Sequence, residues 1–189
     1  DFVDEFSIGL PGGAVSGEAN GIFNVDLRPG EAPKFSLTSS LSGLGLRIAP
    51  IGWSKPPAAE GQLVVQGNLG SRPHIDLLEL SASGLNASGG QVSFRANGGL
   101  GTAAFSRVTT GGWLDAPVVL TGRGDGATPA VALQGGSVDI RKTTLGTGSG
   151  SGDNTPGGPM SLQLDRVIIS QGISLTGFSG DFDTTSGMN

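Results

Sequence analysis

Apolar and polar residues alternate along most of this chain. Phe23, Val25 and Leu27 fall on one side of an extended backbone, as do Phe35 with Leu37, Val92 with Phe94, Val131 with Leu133, and Val138 with Ile140. Met160, Leu162 and Leu164, and then Ile173 and Leu175, repeat the arrangement. A period of two marks strands with one face out of water, and the helical period of about 3.6 is nearly absent. Turn formers separate the runs, among them Arg28-Pro29-Gly30, Asn97-Gly98-Gly99 and Gly124-Asp125-Gly126. The spacing predicts an all-β, antiparallel meander of about a dozen short strands, forming a curved, elongated sheet or an open β-groove. Gly89–Arg95 recurs as Gly135–Arg141, each copy reading as a two-glycine turn entering a strand. Stacked meander units or two similar hairpins in a Gly-rich chain would both produce this match.

At 189 residues the chain is long enough for one domain with a real core. Residues 1–145 and 160–189 are expected to form one β domain, interrupted by a flexible Gly/Ser-rich loop at 146–159 that has no apolar side chain except proline rings. Hydrophobic residues make up 36% and glycine contributes 35 residues, so large side chains are scarce and bends are easy. The net charge is −5 and the eleven Lys and Arg residues are scattered singly, apart from Arg141-Lys142. With no basic stripe in the sequence, nucleic acid is not an expected partner. The longest apolar runs, such as Val118–Leu120 and Val167–Ile169, are far shorter than the roughly 18 residues of a spanning helix. No signal-peptide pattern opens the chain at Asp1, and an excised segment of a longer protein is expected.

Candidate chemistry is sparse. There is no cysteine and His74 is the only histidine, so no zinc site of the usual ligand set is expected, and His74 reads as a loop or strand-edge residue. Asp181 and Asp183 flank Phe182 on a strand, about 6.5 to 7 Å apart, within the range of a glycosidase pair. The preferred reading is a solvated face opposite a buried Phe182, and no catalytic residue is assigned. Trp53 and Trp113 each follow a glycine at a strand entrance and are read as corners covering sheet ends in preference to lipid-interface anchors. Arg123-Gly124-Asp125 spells an adhesion tripeptide and Asn86-Ala87-Ser88 a glycosylation sequon. Neither is taken as functional, and no metal or cofactor is expected.

The order of segments carries more information. An alternating run at Leu41–Arg47 is followed by the corner Ile51-Gly52-Trp53-Ser54-Lys55-Pro56-Pro57 and the strand Gly61–Leu69. Then come Pro73–Asp76, the Gly-Gly strand at 89–95, Phe105–Val108 and Gly112–Gly124. Leu162–Val167, Gly172–Phe178 and Gly180–Phe182 close the series. This succession resembles the C-terminal β-rich portion of AsmA-like bacterial envelope proteins, the group that includes YhdP and TamB. The resemblance implies an elongated β-groove with an apolar concave face, in a periplasmic segment of a parent anchored in the inner membrane by an N-terminal helix. It also implies a non-catalytic role in phospholipid transport, or in outer-membrane assembly and homeostasis. The anchor helix is not within these residues, and the Gly/Ser run at 146–158 is not required by the pattern.

Independently of that likeness, a sheet that alternates apolar and polar residues has one face that must leave water. Without an amphipathic helix to cover it, this face must close on another sheet, curl on itself or receive lipid. Acyl-contact candidates are Leu63, Val65, Val92, Phe94, Val131, Leu133, Leu162 and Leu164. Sequence leaves open which way each strand aims them, because a one-residue slip reverses the face. The partners expected are phospholipid acyl chains, adjoining β segments of the parent and, through exposed strand edges, a second copy. The alternative is a structural or adhesive β-sandwich with a dry core and no lipid.

Overall fold

Period-two alternation becomes strand almost everywhere it occurs. The computed structural model describes residues 14–48, 51–96, 98–124, 126–143 and 158–183, and no helix forms among them. The strands are β1 (Val15–Gly17), β2 (Gly21–Asp26), β3 (Lys34–Ser39), β4 (Leu44–Ile48), β5 (Trp53–Lys55), β6 (Gly61–Asn68) and β7 (His74–Ala82). They continue with β8 (Leu85–Phe94), β9 (Leu100–Thr110), β10 (Leu114–Thr121), β11 (Ala130–Gln134), β12 (Ser137–Asp139), β13 (Pro159–Ser170) and β14 (Ile173–Asp183). The chain is therefore all-β. One sheet of eleven strands runs from β2 at one edge to β14 at the other, and a separate small sheet, β1-β4-β5, combines the strand before β2 with the two between β3 and β6 in the chain.

From β2 to β10 the large sheet is an antiparallel meander. It departs from a meander at β13, which pairs parallel with both β11 and β12. β11 and β12 act as one strand broken at Gly135-Gly136, since both also pair with β10. Parallel neighbours require the chain to return along the strand length before pairing again. The connection between β12 and β13 is residues 140–158, and the Gly/Ser-rich loop expected at 146–159 lies, up to residue 157, outside the described residues.

The registers reveal a line of extra residues crossing the sheet. Ile75 and Leu78 of β7 face Gly67 and Val65 of β6, three residues against two. Ala87 and Gly90 of β8 face Leu80 and Leu78, so β8 carries an extra residue where β7 has its own. Phe105 and Val108 of β9 face Val118 and Ala116 of β10, which leaves Ser106 and Arg107 opposite Pro117 alone. Beyond β10 the irregularity resumes at Gly135-Gly136, where the Gly136 carbonyl accepts from both Asp165 N at 3.0 Å and Arg166 N at 3.2 Å. Proline in an inner strand loses a ladder hydrogen bond and is tolerated at such a break.

Each extra residue bends its strand and raises local twist, and aligned on neighbours they crease the sheet from β7 onward. The crease accounts for burial without a second layer. Apolar residues on its two sides are buried, as are Ala87 and Val92 in β8 and Ala116 and Val118 in β10. Ala116 and Leu164 are only 1% and 3% exposed. One core cluster runs from Leu85 through Val108, Leu114, Val118, Leu133 and Val138 to Val167.

Two glycine sites serve the crease. Gly89 adopts φ +60° within β8, and a Cβ at the adjacent Gly90 would meet the Leu78 carbonyl and the Phe105 ring. Gly136 adopts φ +76° with Ala116 Cα 2.6 Å from where its Cβ would lie. The two copies of the Gly-Gly motif thus differ, and neither is the turn expected: Gly135-Gly136 is a bend between β11 and β12, whereas Gly89-Gly90 lies inside a strand.

Candidate functional site

Residues opposite one another in adjacent strands share a face, so the registers define the apolar surface. It passes from Phe23 and Val25 through Phe35 and Leu37 to Leu63 and Val65. It continues through Leu78, Leu80, Ala87, Val92, Val108 and Ala103 to Ala116, Val118 and Leu120. Val131, Leu133, Leu162 and Leu164 carry it to Phe178 and Phe182. Among the described residues no charged residue occupies a paired position of this face, and its hydroxyl groups are those of Ser39, Thr110 and Ser170.

All eight residues singled out from sequence lie on this surface. Val65, Val92, Leu133 and Leu164 are buried near its floor, whereas Leu63, Phe94, Val131 and Leu162 are half-buried and reach toward its opening. Sequence reasoning missed Leu78, Leu80, Phe105, Val108 and Val167. The crease hid them, because an extra residue in each strand reverses the alternation partway along: burial in β8 falls on Leu85 and Ala87, then on Gly90 and Val92. The run Leu77-Leu78-Glu79-Leu80, which breaks the period of two, was the available signal.

The groove has two unlike rims. One is closed by the small sheet and two tryptophans: Trp53 Nε1 donates to Ser83 O at 2.9 Å, and Trp53 and Trp113 are both buried in the core cluster with Leu46 and Ile51 against it. Both tryptophans are therefore corners covering sheet ends. Lys55, also buried, donates from Nζ to Leu41 O at 2.7 Å and Leu44 O at 2.8 Å. These bonds, with Leu41 N donating to Ser39 Oγ at 3.1 Å, hold Leu41 at a left-handed φ of 55°. The other rim, formed by the β6–β7, β8–β9 and β10–β11 turns, has no such cover.

Charge is confined to the opposite face and the turns. Arg107 grips Asp115 in a bidentate pair at 2.7 Å across β9 and β10; its hydrogen bond lowers the Asp115 pKa and raises that of Arg107. Hydrogen bonds from the Arg141 side chain hold the Asp139 carboxyl down at about 2. His74 opens β7 with Nδ1 3.0 Å from Arg72 O and Nε2 3.1 Å from Asp76, as a strand-end residue. Among the described residues no cluster of metal-ligating side chains forms. Asp181 is exposed on β14, but Phe182 is 45% exposed and stacks on Phe178 at 6.4 Å, so the buried Phe182 expected opposite the acids is not found. Both edge strands carry this exposure of the apolar face, with Phe23 and Val25 on β2 and Ile173, Leu175 and Phe182 on β14.

No protein-family model matches this chain, and neither the curated proteins nor the solved structures yield a match to it.

Proposed function

We propose that this chain is a non-catalytic, periplasmic segment of an AsmA-like envelope protein, and that its apolar sheet face forms part of a groove for phospholipid acyl chains in transport toward, or assembly of, the outer membrane. Adjoining β segments of an inner-membrane-anchored parent extend the groove on both sides. The observation that supports this reading best is one uncharged apolar face spanning the large sheet and still exposed at both edge strands, Phe23 and Val25 at one and Leu175 and Phe182 at the other. A face that ends in exposed aromatic rings on strands with one partner each among the described residues is suited to continue or to be occupied.

The energetics favour passage over storage. At about 0.8 kcal/mol per buried methylene, a sixteen-carbon chain gains on the order of 12 kcal/mol in the groove and gives up a similar amount on leaving a bilayer. With these terms nearly cancelling and no charged residue at a paired position of the face among the described residues, a chain slides without a fixed stop. The test is mass spectrometry of the purified protein for co-purified phospholipid, together with photocrosslinking in cells from Phe94 and Val131, which are half-buried at the opening. Phospholipid adducts at both positions are expected. Lipid-free protein, no adducts and the scattering profile of a compact sandwich would overturn the reading in favour of a dry structural module.

A further inference from the structure

Three of the eleven basic residues, far apart in sequence, fall in turns of one rim. Antiparallel order sends the β6–β7, β8–β9 and β10–β11 turns to the same end of the sheet, and each carries one arginine: Arg72, Arg95 and Arg123. Turns at the opposite end, Ser83-Gly84, Gly111-Gly112 and Gln171-Gly172, carry no charge. Adjacent strands lie about 4.8 Å apart, so successive turns on one rim repeat at about 10 Å. Arg95 Nε donates to Leu100 O at 2.9 Å, and its terminal nitrogens lie against Gly122 and Gly124, on either side of Arg123. The Arg95 side chain thereby links the β8–β9 turn to the β10–β11 turn, which carries the exposed Arg123. Arg107 and Arg141, away from this rim, each grip an aspartate, whereas among the described residues Arg72, Arg95 and Arg123 make no ion pair.

We infer that this rim is a phosphate rail, with Arg72, Arg95 and Arg123 engaging the headgroup phosphates of glycerophospholipids whose acyl chains lie in the groove below; the inference rests on the groove reading above. An uncharged apolar floor beside a line of guanidinium groups matches an amphiphile with hydrocarbon at one end and an anion at the other. Guanidinium is suited to this, because its planar donors fit phosphate oxygens and its charge persists at any physiological pH. Repeated equivalent contacts let a headgroup pass from one arginine to the next, which a single deep clamp would prevent.

The test titrates the purified protein with fluorescently tagged phosphatidylglycerol, diacylglycerol of the same acyl length, and glycerophosphate. Wild type should bind both lipids, phosphatidylglycerol more tightly and with salt-sensitive affinity, and glycerophosphate far more weakly than either. The exposed pair Arg72→Gln and Arg123→Gln should weaken phosphatidylglycerol about tenfold and leave diacylglycerol within about twofold, and adding Arg95→Gln should extend the loss. If both lipids bind wild type equally, if the variants lose both equally, or if glycerophosphate binds as tightly as the lipid, the rail is wrong and the groove stands. If neither lipid binds, the groove reading falls and the rail with it.

Discussion

The middle of the large sheet and its β2 edge carry the same kind of sequence and meet different fates. In β8 through β13 much of the apolar face is buried, with Leu164 3% exposed, although among the described residues no helix or second large sheet lies over it. In β2 every residue is exposed, and Phe23, of the same apolar face, is 46% exposed with the Phe35 ring 5.9 Å away. Composition does not separate them. The crease does, since extra residues bend β7, β8 and β9 and resume at Gly135-Gly136 and β13, whereas β2, β3 and β6 pair without a register shift. A bent sheet buries its own side chains, and a straight one needs a partner.

Breaking the crease should have the largest effect. Gly136→Val places a branched side chain at φ +76° against the Asp115 carbonyl and Ala116, and should cost about 3 kcal/mol or more, read as a fall in denaturant midpoint. Truncation sharpens the comparison: Leu164→Ala on the creased side should cost about 2 to 4 kcal/mol, and Phe23→Ala on the edge less than about 1 kcal/mol in the same assay. The edge change should instead reduce concentration-dependent self-association in sedimentation, because β2 has β3 as its only strand partner among the described residues. Lys55→Met strands the Leu41 and Leu44 carbonyls and should cost about 1 to 3 kcal/mol, while leaving the creased half's response to Leu164→Ala unchanged in a double-mutant cycle.

The smallest effect is the pH dependence of Asp139. Its folded-state pKa of about 2 lies below the ordinary 3.8, so its contribution to stability is complete above about pH 4 and is lost as pH falls toward 2. Asp139→Asn should flatten the decline of the thermal midpoint across that window.

Much of this architecture is legible in the residues. Alternation at Phe35-Ser36-Leu37 or Met160 through Leu164 dictates strands with one greasy face, and glycine with asparagine or proline between runs dictates turns. The eight candidate contacts were legible for the same reason. Leu78, Phe105 and Val167 were not, because an extra residue in each strand shifts the phase of alternation and a local window cannot tell a bulge from a turn. Gly89-Gly90 and Gly135-Gly136 read alike, yet one lies inside a strand and the other breaks one.

By itself, then, the sequence determined a helix-poor, Gly-rich chain of alternating strands with one face obliged to leave water, since period and turn chemistry are local properties. Tertiary structure alone decided that the extra residues fall in line across neighbouring strands, that β13 runs parallel to β11 and β12, and that Arg72, Arg95 and Arg123 share one rim. Those outcomes depend on register between segments distant in the chain, and pairing between strands sets register.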